Sequence, residues 1–213
     1  MCYKFVFYLF NEIMRKGKAV AEKKSKTSDF KQKIVLTSLD LAAQRGWAYV
    51  SLRDIAKGCK ISMAELHSVI EDKDDILVLI GRMIDRKVLD NLSKGHENEP
   101  IRDRLFDILM DRFEALDDHR GGIIAILEYY KCEPKELIFS MPHLCRSMNW
   151  MLEAAGVQTS GLKGALRVTG LSLIYIKTLR IWMSDNSPDL PKTMAALDKS
   201  LNSAEQVANT LGF

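Results

Sequence analysis

The chain has 213 residues, 47% of them apolar, enough to build one sizeable helical domain or a small domain joined to a larger one around a full core. Its net charge is only +3, and its four cysteines, Cys2, Cys59, Cys132 and Cys145, show neither metal-ligand spacing nor a disulfide framework. A disulfide-stapled secreted scaffold and a zinc module are therefore excluded, and a reducing, cytoplasmic setting fits best.

The charge is unevenly spread. Between residues 15 and 33, Arg15, Lys16, Lys18, Lys23, Lys24, Lys26, Lys31 and Lys33 stand against only Glu22 and Asp29, so residues 1–28 read as a basic leader. Such a leader can neutralise phosphates of DNA or of lipid headgroups; the plain alternative is a solvated, disordered tail. The apolar run from Phe5 to Phe10 is too short to span a bilayer and lacks a small-residue cleavage site. Translation from Met14, or a short interfacial anchor, accounts for it.

From Asp29, Phe30, Ile34, Leu36, Leu39, Leu41 and Ala42 recur at near-helical spacing up to Gly46, a natural helix end. Trp47 and Val50 fill the gap before a second helix, which Ser51 caps and Leu52, Ile55 and Ala56 bury. After the turn Gly58-Cys59-Lys60-Ile61, Ser62 and Glu65 form a capping box for a third helix with Leu66, Val69 and Ile70 inward. Asp72 caps a long fourth helix reaching about Lys94, with Asp74 and Asp75 where its dipole favours negative charge.

Beyond the polar break at residues 95–100, Ile101 to Leu116 marks a fifth helix and Ile123 to Tyr130 a shorter sixth. Pro134 opens an irregular stretch interrupted at Pro142, and a helix resumes from Leu144 to Ala155, ended by Gly156. Residues 160–183 are apolar on nearly every side from Leu171 onward, so this helix is buried, or half buried in a partner. Ser187-Pro188-Asp189 breaks it, and Met194, Leu197, Leu201, Ala204, Val207 and Leu211 define a last amphipathic helix. The fold class is all-α.

Gly46-Trp47, Ser51-Leu52-Arg53-Asp54-Ile55-Ala56, Ile61-Ser62, Leu66, Ile70 and Lys73-Asp74-Asp75-Ile76-Leu77 together resemble the N-terminal DNA-binding domain of TetR-family regulators. The resemblance implies a helix-turn-helix domain over residues 29–75, whose third helix enters the major groove, and a ligand-binding and dimerisation domain over 76–213. Carried onto this sequence, the DNA-binding residues are Ser51, Arg53, Lys60, Ser62, Met63, Ala64, Glu65, His67, Ser68 and Lys73.

Three departures weaken that surface. Lys60 occupies the turn position where the family usually has glycine, and left-handed geometry there costs a non-glycine residue roughly 1–2 kcal/mol. The usual Lys-Gly-Thr opening of the recognition helix is Met63-Ala64-Glu65, and the phosphate-gripping tyrosine is absent, with His67 and Ser68-Val69 in place of an aromatic pair. Lys73 matches the family's backbone-contacting lysine but is surrounded by Glu71, Asp72, Asp74 and Asp75. Affinity would then rest on Arg53, Lys57, Lys60, Lys73 and the leader.

A second resemblance covers about 30 residues: Trp182, Asp185-Asn186-Ser187-Pro188-Asp189, Thr193-Met194 and Leu197 look like the end of the ubiquinone-biosynthesis lipid-binding family, which keeps the TetR fold without reading DNA. It implies an isoprenoid or lipid ligand and a C-terminal amphipathic helix that meets a membrane.

His67 is a base or phosphate ligand or an ordinary exposed histidine; Arg53 is a DNA contact or the partner of a helix-surface ion pair. Tyr129, Tyr130, Phe139, Met148, Trp150, Met151, Tyr175 and Trp182 are candidates to line an apolar cavity, against plain core packing for each. Asp117-Asp118-His119 falls at a helix end and nothing completes a catalytic constellation; no enzyme, cofactor or metal is expected. The expected function is a homodimeric regulator, paired through 160–183 and 191–211, that binds a double-stranded DNA operator under control of an apolar small molecule or lipid. The alternative is a lipid-binding accessory protein of ubiquinone biosynthesis with peripheral membrane contact.

Overall fold

The computed structural model describes residues 28–92, 99–132 and 134–211, with the side chains of 132–139 and 211 set aside; the leader over 1–27, the apolar run within it and the side chain of Phe139 lie outside the described residues. The described residues form helices and no strand. Helix α1 spans 28–45, a 3-10 turn Trp47–Tyr49 follows, and α2 (Leu52–Cys59) and α3 (Met63–His67) complete a small N-terminal unit. The rest is α4 (Asp75–Asn91), α5 (Ile101–Asp117), α6 (Arg120–Cys132), α7 (Pro134–Ala154), α8 (Gly161–Trp182) and α9 (Pro191–Leu211).

Local chemistry sets the N-terminal unit. Gly46, at φ 81°, ends α1, and Trp47 is turned fully inward beneath it. Ser51 and Asp54 make a reciprocal capping box at the start of α2, and Ser62 and Glu65 repeat it on α3. Lys60 adopts φ 54° and ψ 48° between the two helices, the left-handed turn expected there without its usual glycine. Asp72 Oδ1 accepts from the amides of Asp74 and Asp75, capping the chain into α4.

Two sequence expectations need correction. Residues 134–142 are not irregular: α7 runs unbroken through Pro142. Pro134 sits at the first helical position, where proline carries no penalty. Within the helix, Pro142 sacrifices one amide on an exposed face, while Ser147, Met148, Met151 and Leu152 are buried along α7, which packs against α4 and α8. The sixth helix likewise begins at Arg120, not Ile123, because Gly121 and Gly122 stay helical despite their poor propensity. Space explains Gly122: a Cβ there would lie 2.4 Å from the Leu39 carbonyl oxygen of α1.

α8 and α9 pack along each other and are joined by a buried corner. Asp185, fully buried, accepts from the Thr193 amide at 2.9 Å and the Thr193 hydroxyl at 3.0 Å. Arg120 donates to the Trp182 carbonyl at 2.6 Å and to Asn186 Oδ1 at 3.2 Å, with its guanidinium 4.6 Å from the Trp182 ring centroid. The Trp182 to Thr193 motif thus closes one α8–α9 corner, and Trp182 belongs to core packing.

Burial opposes charge on Asp185, but hydrogen bonds from Thr193, with help from the amides of Ser187 and Lys192, outweigh it and hold the carboxyl below its ordinary pKa. A depressed native pKa contributes stability that is complete above the unfolded value and lost as pH falls through the native one. Wild-type protein is therefore expected to lose stability below about pH 4, and Asp185→Asn to be weaker at neutrality with a flatter acid limb, as read by urea unfolding at stepped pH.

Candidate functional site

Two surfaces carry the candidate residues, one around α2 and α3 and one enclosed by the later helices. On the first, Met63, Ala64, Glu65, His67 and Ser68 are exposed around the buried anchor Leu66. Several are occupied locally. Ser51 and Ser62 are committed to their caps, and Glu65 folds back so that its carboxylate accepts from the Ser62 amide at 2.8 Å and the Ser62 hydroxyl at 2.8 Å. Those two bonds, the amide first, lower the Glu65 pKa. Ser68 Oγ donates to the Glu65 carbonyl at 2.7 Å, and His67 Nδ1 lies 3.4 Å from the Ile70 carbonyl.

Arg53, Lys57 and Lys60 are exposed on this side. Asp54, the acidic neighbour of Arg53 in sequence, lies 3.7 Å from Arg45. Lys73 has a different setting from the one its position suggests. Its ammonium donates to the Trp47 carbonyl and stands 4.3 Å from the Trp47 ring centroid and 5.3 Å from that of Tyr129. It ties α4 to the 3-10 turn and α6.

Beside it, Tyr130 is buried and its hydroxyl donates to Asp74 Oδ1 at 2.6 Å. Tyr129 and Tyr130, read as cavity candidates, therefore belong to the seam between the N-terminal unit and α6.

The second surface is a cavity of about 280 Å³ among α4, α5, α6, α7 and α8. Of the eight residues proposed to line it, Trp150 and Tyr175 do. Met148, Met151 and Trp182 are fully buried elsewhere in the core, because a helix presents one face to one neighbour and spacing alone does not identify that neighbour. Leu77, Ile80, Ile84, Ile123, Ile126 and Leu144 supply most of the apolar wall.

Sequence reading missed the polar part of this wall. Arg112 and Asp85 form an ion pair with side-chain exposures of 4% and 15%, and Ser147 Oγ donates to Asp85 Oδ1 at 2.6 Å. The Arg112 guanidinium lies 5.1 Å from the Tyr175 ring centroid, and Tyr175 stacks on Phe113 at 5.3 Å. Burial works against the Arg112 charge, but Tyr175 and the Asp85 carboxylate outweigh it and raise the arginine's pKa. A signal was present: Arg112 interrupts the otherwise apolar face of Ile108, Leu109, Phe113 and Leu116.

Among the described residues, no three His, Cys, Asp or Glu side chains gather as a metal site, and no helix is long and apolar enough to cross a membrane.

Comparison with known proteins agrees with this geometry. Residues 138–208 match the COQ9 family model. A TetR transcriptional regulator from Nitrosomonas europaea is 25% identical with a TM-score of 0.66, over 83% of this chain and 98% of that one. A TetR regulator from Rhodococcus sp. RHA1 is 16% identical with a TM-score of 0.60, over 82% and 94%. The TetR-family repressor FadR of Thermus thermophilus, in complex with lauroyl-CoA, is 17% identical with a TM-score of 0.50, over 81% and 91%. No curated protein matches by sequence.

Gly81 of α4 lines the cavity, and a Cβ built on it meets nothing within 4 Å. Gly81→Leu is expected to raise stability by about 1 kcal/mol through helix propensity and filled apolar space. It should also abolish binding of any small molecule to the cavity, as thermal unfolding and calorimetric titration would read.

Proposed function

We propose that this chain, with its TetR-like fold and COQ9-like C-terminal segment, is a DNA-binding transcriptional regulator whose operator affinity is set by a small apolar ligand. The observation that carries the reading is the double engagement of α6. Ile123, Ile126 and Leu127 line the cavity, while Gly122 sits on the Leu39 backbone and Tyr129 and Tyr130 meet Lys73 and Asp74. A ligand that displaces α6 must therefore push on the helix-turn-helix unit, and ligand and DNA change each other's affinity by the same factor.

In this reading α3 lies in the major groove and offers Met63, Ala64, His67 and Ser68 to base edges, with Ser51, Ser62 and Glu65 holding the caps that aim it. Arg53, Lys57, Lys60 and the leader supply phosphate contacts, and Lys73 contributes by fixing the start of α4. Two copies pair through α8 and α9, whose Leu162, Leu166, Leu173, Met194 and Val207 are exposed in the single chain. The complex of a FadR of this fold with lauroyl-CoA supports an apolar ligand.

A second reading rests on the COQ9 match and on a third helix without Arg or Lys: a lipid-binding accessory protein of ubiquinone biosynthesis that contacts a membrane and reads no operator. It calls for co-purifying isoprenoid lipid and binding to anionic vesicles.

Fluorescence anisotropy with DNA from around its own gene, scrambled competitor and a salt series separates the two. The regulator binds selectively with a steep salt slope; weak binding indifferent to sequence supports the lipid-binding protein. Lys60→Gly is a sharper probe. It should raise folding stability by about 1 kcal/mol by relieving the left-handed turn, yet weaken binding to all sequences and reduce the salt slope by about one.

A further inference from the structure

The cavity is open to water on one side, and its unbalanced charge is concentrated there. Of its lining residues only Arg82 on α4 and His143, Arg146 and Trp150 on α7 are exposed. Helical spacing brings them together. His143, Arg146, Ser147 and Trp150 fall on one face of α7, and Val78, Gly81, Arg82 and Asp85 fall on one face of α4, against which α7 packs. The mouth therefore lies between these two helices, with two guanidiniums and an imidazole around it and Trp150 at its edge.

The rest of the lining does not neutralise that charge. Asp85 is its one carboxylate, and it is committed to the buried Arg112, with Ser147 donating to it as well. Neither Arg82 nor Arg146 forms an ion pair within the described residues. Further in, Ile80, Ile84, Ile123, Ile126 and Leu144 make the wall apolar. Charge of one sign beside low-dielectric walls concentrates ions of the other sign, and the guanidinium fork fits carboxylate and phosphate oxygens alike.

We infer that the cavity, in the ligand-binding role proposed above, takes an amphipathic anion, whose apolar body fills the interior while a terminal carboxylate or phosphate stays at the mouth against Arg82 and Arg146. Each part of such a molecule keeps the surroundings that suit it. The head group remains hydrated, so no extra charge is buried beside Asp85. A neutral molecule with the same body fills the interior but leaves both cations without a partner, and a cation is repelled by them. At about 280 Å³ the interior is at the small end for ligand sites, suited to a medium-length chain or two rings.

The test uses the full chain at low ionic strength near neutral pH, with octanoate, octyl phosphate, octanamide and octylammonium as probes that share an apolar chain. Calorimetric titration reads affinity and tryptophan emission reads position. Trp150 is exposed whereas Trp47 and Trp182 are fully buried, so a chain entering the mouth should shift the emission to the blue. Octanoate is expected to bind about tenfold tighter than octanamide, the scale of two solvent-exposed charge contacts, and octylammonium weakest. Added salt should shrink the gap. The ratio of octanoate to octyl phosphate affinity identifies the head group.

Gly81→Leu, which fills the cavity, should remove binding of every probe. The double variant Arg82→Gln, Arg146→Gln alters only exposed side chains. It should lower octanoate affinity to that of octanamide while leaving octanamide affinity and the unfolding temperature unchanged.

Equal affinity for octanoate and octanamide, or tightest binding by octylammonium, each lost in Gly81→Leu, would overturn the anion assignment while leaving a ligand cavity in place. An octanoate preference that survives in the double glutamine variant would do the same. Octanoate binding that persists in Gly81→Leu would put the anion outside the cavity and so contradict the assignment. If no probe binds, the assignment fails, and the DNA titration judges the regulatory reading by itself.

Discussion

The close contact of α6 with α1 is the constraint on which the arrangement of the whole chain depends. At Gly122 the α6 backbone approaches the Leu39 carbonyl so nearly that no side chain fits between them. Lys73 and Tyr130 extend the seam, one held by the Trp47 carbonyl and two aromatic faces, the other donating to Asp74. Backbone packing and charge-assisted bonds together resist sliding, so the orientation of the small N-terminal unit follows that of α6. A lysine whose position suggests DNA contact thereby becomes a structural tie.

The buried ion pair in the cavity wall is the second unusual feature. Exchanging a paired buried charge for well-packed apolar residues is often neutral or stabilising, so Arg112 and Asp85 are weak candidates for a purely stabilising role. Their cost is moderated by Ser147, which donates to Asp85, and by the Tyr175 ring beside the guanidinium. What they add is a fixed polar point within an apolar space, and fixed polar points are what orient ligands in such spaces.

The COQ9-like segment and the cavity meet physically, since α7 and α8 provide Ser147, Trp150 and Tyr175 to the wall. The motif read from the sequence as resembling that family, which begins at Trp182 and includes Thr193, lies instead at the α8–α9 corner. There Asp185 satisfies an amide and a hydroxyl at the start of α9, and Arg120 brings α6 to the same place. That motif serves architecture: it sets the angle at which α9 returns along α8.

By itself the sequence determined the features that arise within a few residues. The cap at Ser51, the capping box at Ser62, the end of α1 at Gly46 and the apolar stripes of α4 and α5 follow from helical periodicity, glycine's freedom at a helix end and bonds spanning three or four positions, whereas the left-handed turn at Lys60 was implied by the resemblance to TetR-family regulators. Tertiary structure alone decided the rest. It kept α7 continuous through Pro142, held Gly122 helical, turned Lys73 inward, and placed Trp150 and Tyr175 at the cavity but Met148, Met151 and Trp182 elsewhere. Each of these depends on which helix lies opposite, and the Asp85–Arg112–Ser147 network joins positions 27 and 62 residues apart in the chain. Local spacing carries the face a helix buries but not the partner it buries that face against.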